Sequence, residues 1–263
     1  MCHDAKMTSI EQHAQRLLDL HHQATPVILP TVWDAWSAET CASLGFSALT
    51  IGSHPVADSL GEADGEAMEL AEVLRVVRRI TDVVDIPVSV DLESGYDTPA
   101  EELVHRTLEA GAAGINIEDT VHSMDEMRSP EEHAGYIAAI RAAADATGTH
   151  LVINGRTDAF TTDAGPEAQL KDALHRLRLL EQAGADSLYP VKVPSRDYLE
   201  QILAAVKTPV NVTAHPVNGA IPGGLSIAEL TTLGVKRVSF GPLLQRSLTD
   251  AMNEILQPWT PST

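Results

Sequence analysis

A parallel (β/α)8 barrel, an α/β fold, with an extra N-terminal helix is the architecture this sequence predicts, on three observations. Short apolar runs alternate with amphipathic stretches along nearly the whole chain, eight runs in all. Several helical stretches close on a glycine just before the next run, as in Ala-Gly-Ala at 110–112 and 183–185 and Leu-Gly-Val at 233–235. The segment after the first run reads LPTVWDAWSAE, without the Gly-rich phosphate loop that the runner-up, a doubly wound open sheet, would normally carry there.

The elements follow in order. Residues 8–22 read as the additional helix. The strands are Val27–Leu29, Ala48–Ile51, Val88–Asp91, Gly114–Ile117, Leu151–Asn154, Ser187–Tyr189, Val210–Val212 and Arg237–Phe240, short apolar runs, most of them with β-branched residues. Between them Glu66–Val83, Ala100–Ala110, Pro130–Ala146, Pro166–Ala183, Tyr198–Val206 and Ile227–Leu233 carry apolar residues at three- and four-residue spacing, the period of a helix with one buried face. No Pro/Gly/Ser linker, composition shift or low-complexity tract divides residues 1–263, so a single domain is expected.

A net charge of −19 and the lack of a basic stretch argue against nucleic-acid or anionic-membrane partners. No apolar run reaches the length of a spanning helix, and MCHDAKMTSI has neither the basic lead nor the apolar core of a signal peptide, so a cytoplasmic location is expected. Cys2 and Cys41 form no metal or redox pattern; Cys41 falls in an apolar helical pattern and reads as core.

In a parallel barrel the chemistry is built where the strands end. Those positions carry Ile51-Gly52-Ser53-His54, then Asp91 and Glu93, Glu118-Asp119, Arg156 and Asp158, and Asn211 and Thr213. Asp91 and Glu93 lie two residues apart and share a side of an extended chain. With Glu118 they make a hard-oxygen set suited to Mg²⁺, which keeps several waters, with Mn²⁺ as a substitute. Arg156 offers a planar fork to a carboxylate, and Gly52-Ser53 offers backbone N–H groups and a hydroxyl. A metal beside an anion clamp describes binding of a 2-oxo acid.

The ordered set LPTVWDAWSAETCASLGFSALTIGS, SLGEADG, VSVDLESGY, GINIEDT, INGRTDAF, GADSLYP and GVKRVSFGP, spread over nearly the whole chain, resembles the isocitrate lyase/phosphoenolpyruvate mutase superfamily. The resemblance implies a barrel whose last helix is often exchanged between subunits, a dimer or tetramer, and a Mg²⁺ that holds a 2-oxo acid or its enolate. By matching motifs it places Asp91 as principal metal ligand, Glu93 and Glu118 as acids holding the metal directly or through water, Arg156 as substrate clamp, Gly52-Ser53 as carboxylate cradle and Asp64 near the reaction centre; Asn211 joins the substrate-binding set.

The chain also departs from its relatives. The lyases of isocitrate and methylisocitrate carry a Lys-Lys-Cys-Gly-His lid after the fourth strand, whereas this chain reads DTVHSMDEMRSPEEH there, with no cysteine. Glu93 stands where the best-known members have Asp. Of the histidines that follow strands, His54, His122 and His215, His122 occupies the segment of the missing lid acid and is the candidate proton carrier, in a polar loop at 119–132 expected to be mobile. Lys192 and Arg196 either recognise a distal carboxylate or form surface ion pairs. Trp33 and Trp36 wall the pocket or pack on the first helix. The expected function is a Mg²⁺-dependent lyase that cleaves a C–C bond of a small 2-oxo or 2-hydroxy dicarboxylate through a metal-bound enolate, as in oxaloacetate decarboxylation. The alternatives are P–C chemistry on phosphonopyruvate or phosphoenolpyruvate, and a binding protein without turnover.

Overall fold

The computed structural model describes residues 2–220 and 223–261. Helix α1 (Cys2–Leu20) precedes the first stave, which Pro30 divides into β1 (Val27–Leu29) and β2 (Thr31–Val32). There follow α2 (Ala35–Ser43), β3 (Leu49–Ile51), α3 (Ser53–Leu60), α4 (Leu70–Thr81), β4 (Val88–Asp91), α5 (Ala100–Glu109) and β5 (Gly114–Ile117). A small hairpin, β6 (Thr120–Val121) and β7 (Glu126–Met127), leads into α6 (Pro130–Thr147), β8 (Val152–Thr157), α7 (Pro166–Gln182), β9 (Ser187–Pro190) and α8 (Arg196–Ala205). The chain ends with β10 (Asn211–His215), β11 (Gly219–Ala220), α9 (Ile227–Leu233), β12 (Arg237–Ser239) and α10 (Leu243–Leu256).

The eight expected strands are all present as staves. Parallel pairing runs β2-β3-β4-β5-β8-β9 in one sheet and β10-β12-β1 in another. A single parallel bridge, Leu188 to Val210, joins β9 to β10, and Pro30 joins β1 to β2, which returns the ring to its start. Apolar residues of the strands, such as Val90, Ile115, Ile117 and Val238, are buried with the inner faces of the helices, among them Val77 and Ile80 of α4 and Ile137 and Ile140 of α6. Among the described residues no helix is long and apolar enough to cross a membrane.

The lower end of the barrel is covered by α1. Leu17 is fully buried and packs so close to the start of β5 that a Cβ on Gly114 would meet its Cδ2 at 2.9 Å and the Val152 carbonyl oxygen at the same distance. Glycine is therefore required there.

The inside of the barrel is polar. Fully buried Arg237 donates from Nη2 to Asn116 Oδ1 at 3.1 Å and Ser89 Oγ at 3.3 Å, and its Nη1 faces His21 Nε2 at 3.4 Å. Asn154 Nδ2 donates to the same Asn116 oxygen at 2.9 Å. Burial lowers the Arg237 pKa to about 10, so it keeps its charge at neutral pH. No ion pair to it exists among the described residues.

Some boundaries differ from expectation. The stretch read as a helix from Glu66 begins only at Leu70, because Glu66 has a left-handed backbone (φ 58°) and its carboxylate binds another loop. Helix α8 starts at Arg196, where the Ser195 hydroxyl accepts from the Tyr198 N–H. Helices α2, α3 and α10 complete the pattern, and α10 has no buried residue, with Leu248, Met252 and Ile255 exposed on it. Cys41 is buried in α2, as expected of a core thiol. Trp33 is buried while Trp36 is 61% exposed, so only Trp33 packs inside.

Two buried histidines make folding pH-dependent. His21 Nδ1 donates to the Leu17 carbonyl at 2.7 Å and His133 Nε2 to the Arg156 carbonyl at 3.0 Å; burial first, then the nearby arginines, pushes both pKa values down to about 3 from 6.5. The folded value lies below the unfolded one, so this stability is complete above pH 6.5 and is lost as pH falls towards 3. Buried carboxylates with raised pKa values act in the opposite sense, so the histidine part is read by difference. Between pH 8 and pH 5 a His133→Gln variant should lose about 2 kcal/mol less unfolding free energy than the parent, measured by urea denaturation.

Candidate active site

The upper mouth of the barrel opens into a cavity of about 380 Å³. It is lined by Gly52, Ser53, His54 and Asp64 on one side and by Asp91, Asn116, Arg156 and Tyr189 on the other. Each arrives there because strand alternation points it inward at the end of its stave: Asp91 ends β4, Arg156 lies near the end of β8, and Tyr189 pairs with Arg156 in register on β9. Gly52 is the N-cap of α3, so the first N–H groups of that helix face the cavity. A Cβ at Gly52 would meet Thr31 Cγ2 at 2.7 Å, which excludes any side chain.

Arg156 is the electrostatic centre. Its Nε donates to Asp158 Oδ1 at 2.8 Å and its Nη2 to Asp158 Oδ2 at 3.2 Å. Its Nη1 forms an ion pair with Glu118 Oε2 and lies 3.7 Å from Asp91 Oδ2. The Glu118 contact is a close, buried ion pair. A guanidinium has five N–H groups; the Asp158 fork and Glu118 engage three, leaving one on each terminal nitrogen for a ligand. Burial opposes the Arg156 charge, but Glu118, Asp158 and Asp91 overcome it and raise its pKa further. Burial likewise pushes the Asp158 carboxyl up, and the Arg156 guanidinium and the Thr120 hydroxyl at 2.6 Å hold it below the usual value nonetheless.

The other acids are short of positive charge. Burial raises the Asp91 carboxyl, with Asp64 and Asp158 adding to it and Arg156 opposing. Burial and then Asp91 push Glu93 up to about 7. Glu118 is raised by burial against the pull of Arg156 and of His122, whose Nε2 is 2.7 Å from Glu118 Oε1 and 3.5 Å from Glu93 Oε2. That hydrogen bond in turn raises His122.

Asp91, Glu93 and Glu118 therefore gather at one end of the barrel, at the end of β4, in the loop after it and just after β5, but in two layers. Asp91 faces the cavity; Glu93 and Glu118 stand behind it and do not line it. Among the described residues no three His, Cys, Asp or Glu side chains are grouped so as to ligate a metal ion by themselves. Strand alternation stops short of Glu93, because β4 ends at Asp91 and Glu93 has a left-handed backbone (φ 48°), while Arg156 contacts both Asp91 and Glu118. The donor set fits a hydrated ion rather than a bare one: one carboxylate, Asp91, opens to the cavity, and Glu118 stands behind it paired with Arg156.

Other expected residues fall in distinct places. His54 Nδ1 lies 3.0 Å from Asp64 Oδ2 and its Nε2 3.3 Å from Asp58 Oδ2, so the cavity wall carries an imidazole between two carboxylates. His122 supports Glu118 and packs against Gly65, outside the cavity. Asn211, expected to touch substrate, is fully buried below the cavity, where its amide donates to Ser239 Oγ at 3.2 Å. His215 Nδ1 accepts from the Val217 N–H at 3.2 Å and shapes its own turn. The segment expected to be a mobile lid is a hairpin held at both ends: Thr120 bonds Asp158, and Arg128 donates to the Ser94 carbonyl at 2.9 Å and stacks over the Tyr136 ring at 4.8 Å.

Glu66 was hidden in the helical pattern of its neighbours. Its Oε1 accepts from Ser94 N, Ser94 Oγ and Tyr96 N at 3.0, 2.7 and 2.8 Å, while its own N–H donates to Glu93 Oε2 at 2.7 Å. Tyr96 OH donates to Glu93 Oε1 at 2.8 Å. Glu66, Glu93, Tyr96 and Asp97 all have positive φ, between 48° and 58°, a cluster of strained non-glycine residues that this reciprocal bonding sustains.

With this geometry in view, the comparisons with known proteins are specific. The family model described as phosphoenolpyruvate phosphomutase matches residues 17–259. An oxaloacetate decarboxylase of Paraburkholderia xenovorans (strain LB400) is 28% identical over 251 residues, 90% of this chain and 80% of its own. A crystal structure from Burkholderia cenocepacia J2315 described as a phosphonomutase superposes with a TM-score of 0.85 at 36% identity, covering 94% of this chain and 99% of that one. The crystal structure of 2,3-dimethylmalate lyase, a member of the PEP mutase/isocitrate lyase superfamily, gives a TM-score of 0.82 at 25% identity over 94% of this chain and 86% of its own.

The interlock of the two loops is testable. Glu66→Ala removes three hydrogen bonds to a half-buried carboxylate oxygen and should lower unfolding free energy by about 3 kcal/mol in urea titrations. Glu66→Gln keeps the acceptor and should cost roughly half as much.

Proposed function

Because the chain belongs to the phosphoenolpyruvate phosphomutase family, we propose that this enzyme is a Mg²⁺-dependent lyase that cleaves a C–C bond of a small 2-oxo or 2-hydroxy dicarboxylate, with oxaloacetate decarboxylation as the simplest case. The observation that carries this reading is that Asp91, Arg156, the N-terminus of α3 and Asp64 line one cavity. A carboxylate at Gly52 and Ser53 would meet the free N–H groups of that helix, and the remaining N–H groups of Arg156 would meet the 2-oxo end. Asp91 would hold the ion directly, and Glu93 and Glu118 would receive its waters. When bound, Mg²⁺ supplies Lewis-acid stabilisation of the negative charge that develops as the bond breaks.

The bond between C3 and the departing carboxylate breaks, CO₂ leaves, and the electron pair stays with the three-carbon fragment as an enolate. The enolate carbon then takes a proton. His54 Nδ1 and Asp64 Oδ2 lie 3.0 Å apart on the cavity wall, and in this reading that pair delivers the proton. No cysteine is needed, consistent with a chain that has none in the hairpin. His122 compensates Glu118 and Glu93 from behind.

The likeness to the phosphonomutase structure supports a second reading, P–C chemistry on phosphonopyruvate or phosphoenolpyruvate. The assays separate the readings. Pyruvate should form from oxaloacetate in the presence of Mg²⁺ or Mn²⁺, chelation should stop it, and Asp91→Ala should reduce it by at least about a thousandfold. Phosphate release from phosphonopyruvate instead would favour the second reading, and neither product would leave a binding protein. Arg156→Lys should raise KM by roughly tenfold or more, since an ammonium cannot hold both Asp158 and a ligand in one plane.

We also propose a homo-oligomer. Helix α10 leaves Leu248, Met252, Ile255 and Leu256 exposed, and a second copy of the chain is the expected cover. Sedimentation should give a multiple of 28.2 kDa, and Met252→Glu with Ile255→Glu should lower it to the monomer.

A further inference from the structure

Beside the cavity that holds Asp91 and Arg156 lies a second hollow, also of about 380 Å³. The two are continuous in their walls: Tyr189, Val191, Lys192, Gly241, Pro242 and Arg246 border both. The rest of the second hollow is apolar, formed by Pro190, Val193, Pro194, Val212 and Leu243. Its one further polar group, the Thr213 hydroxyl, is bonded to Tyr189 OH at 2.6 Å. Apart from that pair, the side chains there that can meet a polar ligand are two cations, Lys192 and Arg246.

The chain has 37 acidic residues against 18 Lys and Arg, and both of these cations are exposed on the wall that the two hollows share. Among the described residues neither Lys192 nor Arg246 has an ion pair or a side-chain hydrogen bond. Arg196, close to Lys192 in sequence, is by contrast paired: its Nε is 2.9 Å from Glu200 Oε1. Lys192 is also held in a left-handed conformation (φ 57°) that a lysine rarely adopts, next to Val191, whose N–H bonds the Thr157 carbonyl at 3.1 Å. Arg246 is fixed in the first turn of α10, with its N–H on the Pro242 carbonyl at 3.0 Å. Both backbones are thus anchored while both charges remain uncommitted.

We propose that Lys192 and Arg246 recognise a second, remote carboxylate of the substrate, carried on an apolar stem that fills the second hollow. The substrate is then a 2-oxo or 2-hydroxy diacid longer than oxaloacetate. Its reacting end sits at Asp91 and Arg156, its stem passes Tyr189 and Val191, and its far carboxylate meets the two cations. This rests on the lyase reading for the reacting end, but not on turnover. A carboxylate shared by two otherwise unpaired cations gains charge-assisted hydrogen bonds and displaces no existing ion pair. Oxaloacetate is too short to use the second hollow, and a matched monoacid would fill it without engaging the charges.

The test is calorimetric binding of a ladder of 2-oxo diacids, from oxaloacetate through 2-oxoglutarate to 2-oxoadipate, each longer one paired with the 2-oxo monoacid of the same carbon count, with Mg²⁺ present. The longer diacids should bind at least about tenfold tighter than their monoacids. The double variant Lys192→Met, Arg246→Met should erase that preference, bringing each longer diacid to the affinity of its monoacid. The charge-keeping pair Lys192→Arg, Arg246→Lys should retain most of it. Equal binding of diacids and monoacids, or a preference that survives the Met variant, overturns the proposal. Oxaloacetate turnover without a preference for longer diacids overturns this inference and leaves the lyase reading standing. A retained long-diacid preference without cleavage of any probe supports the anion site and sinks the lyase reading. Binding of none of the probes overturns both.

Discussion

One guanidinium placed among more acids than it can neutralise governs the upper end of this barrel. Arg156 meets Asp158 with its fork and Glu118 and Asp91 with its remaining nitrogen. Asp158 in turn receives the Thr120 hydroxyl, and its N–H donates to Asp119 Oδ1 at 2.9 Å. Asp119, pushed up to about 6 by burial and by Asp158, takes Arg176 Nη1 at 3.2 Å. The hairpin after β5, the turn after β8 and the side of α7 are thereby tied to one charge. What is left over is excess negative potential at Asp91, Glu93 and Glu118, and a site in that condition favours a further cation.

Below this layer the barrel continues to be polar where such barrels are usually filled with branched apolar side chains. Arg237 carries a second buried charge, and Asn116 connects the two levels: its Oδ1 accepts from Arg237 and Asn154 while the residue also lines the cavity. The floor of the site is therefore rigid through hydrogen bonds rather than through close apolar packing, and a positive charge lies under the place where an anionic ligand would rest.

The frame was legible in the sequence because the physics that makes it is local. Eight short apolar runs and the glycines that close helices gave every stave, and strand alternation put Asp91 and Arg156 into the cavity, where Gly52 and Ser53 and, as the resemblance implied, Asp64 join them. What escaped depends on partners distant in the chain. Glu66 looks like the first residue of an amphipathic helix, yet it serves residues Ser94 and Tyr96 and takes a backbone conformation no periodicity reveals. Asn211 was read as following its strand, yet it is the first residue of β10 and its amide faces Ser239. The hairpin at 120–127 reads as a loose polar loop because its tethers, Asp158 and Ser94, are supplied by other loops. Helix α10 lacks the buried stripe by which the other helices declare themselves.

The ring itself has two weak joints. At Pro30 the first stave is interrupted, and between β9 and β10 a single bridge, Leu188 to Val210, stands in for a full ladder. Mechanically the barrel is two curved shells, one of six strands and one of three, meeting along two seams. Ligand-lining residues come from both shells: Arg156 and Tyr189 from the larger, Ser239 from the smaller. A molecule seated there acts as a clasp across a seam, so part of its binding energy goes into holding the shells together. Occupancy and resistance to opening are then one property, and a chain cut in the loop between β9 and β10 would be expected to reassemble best around its ligand.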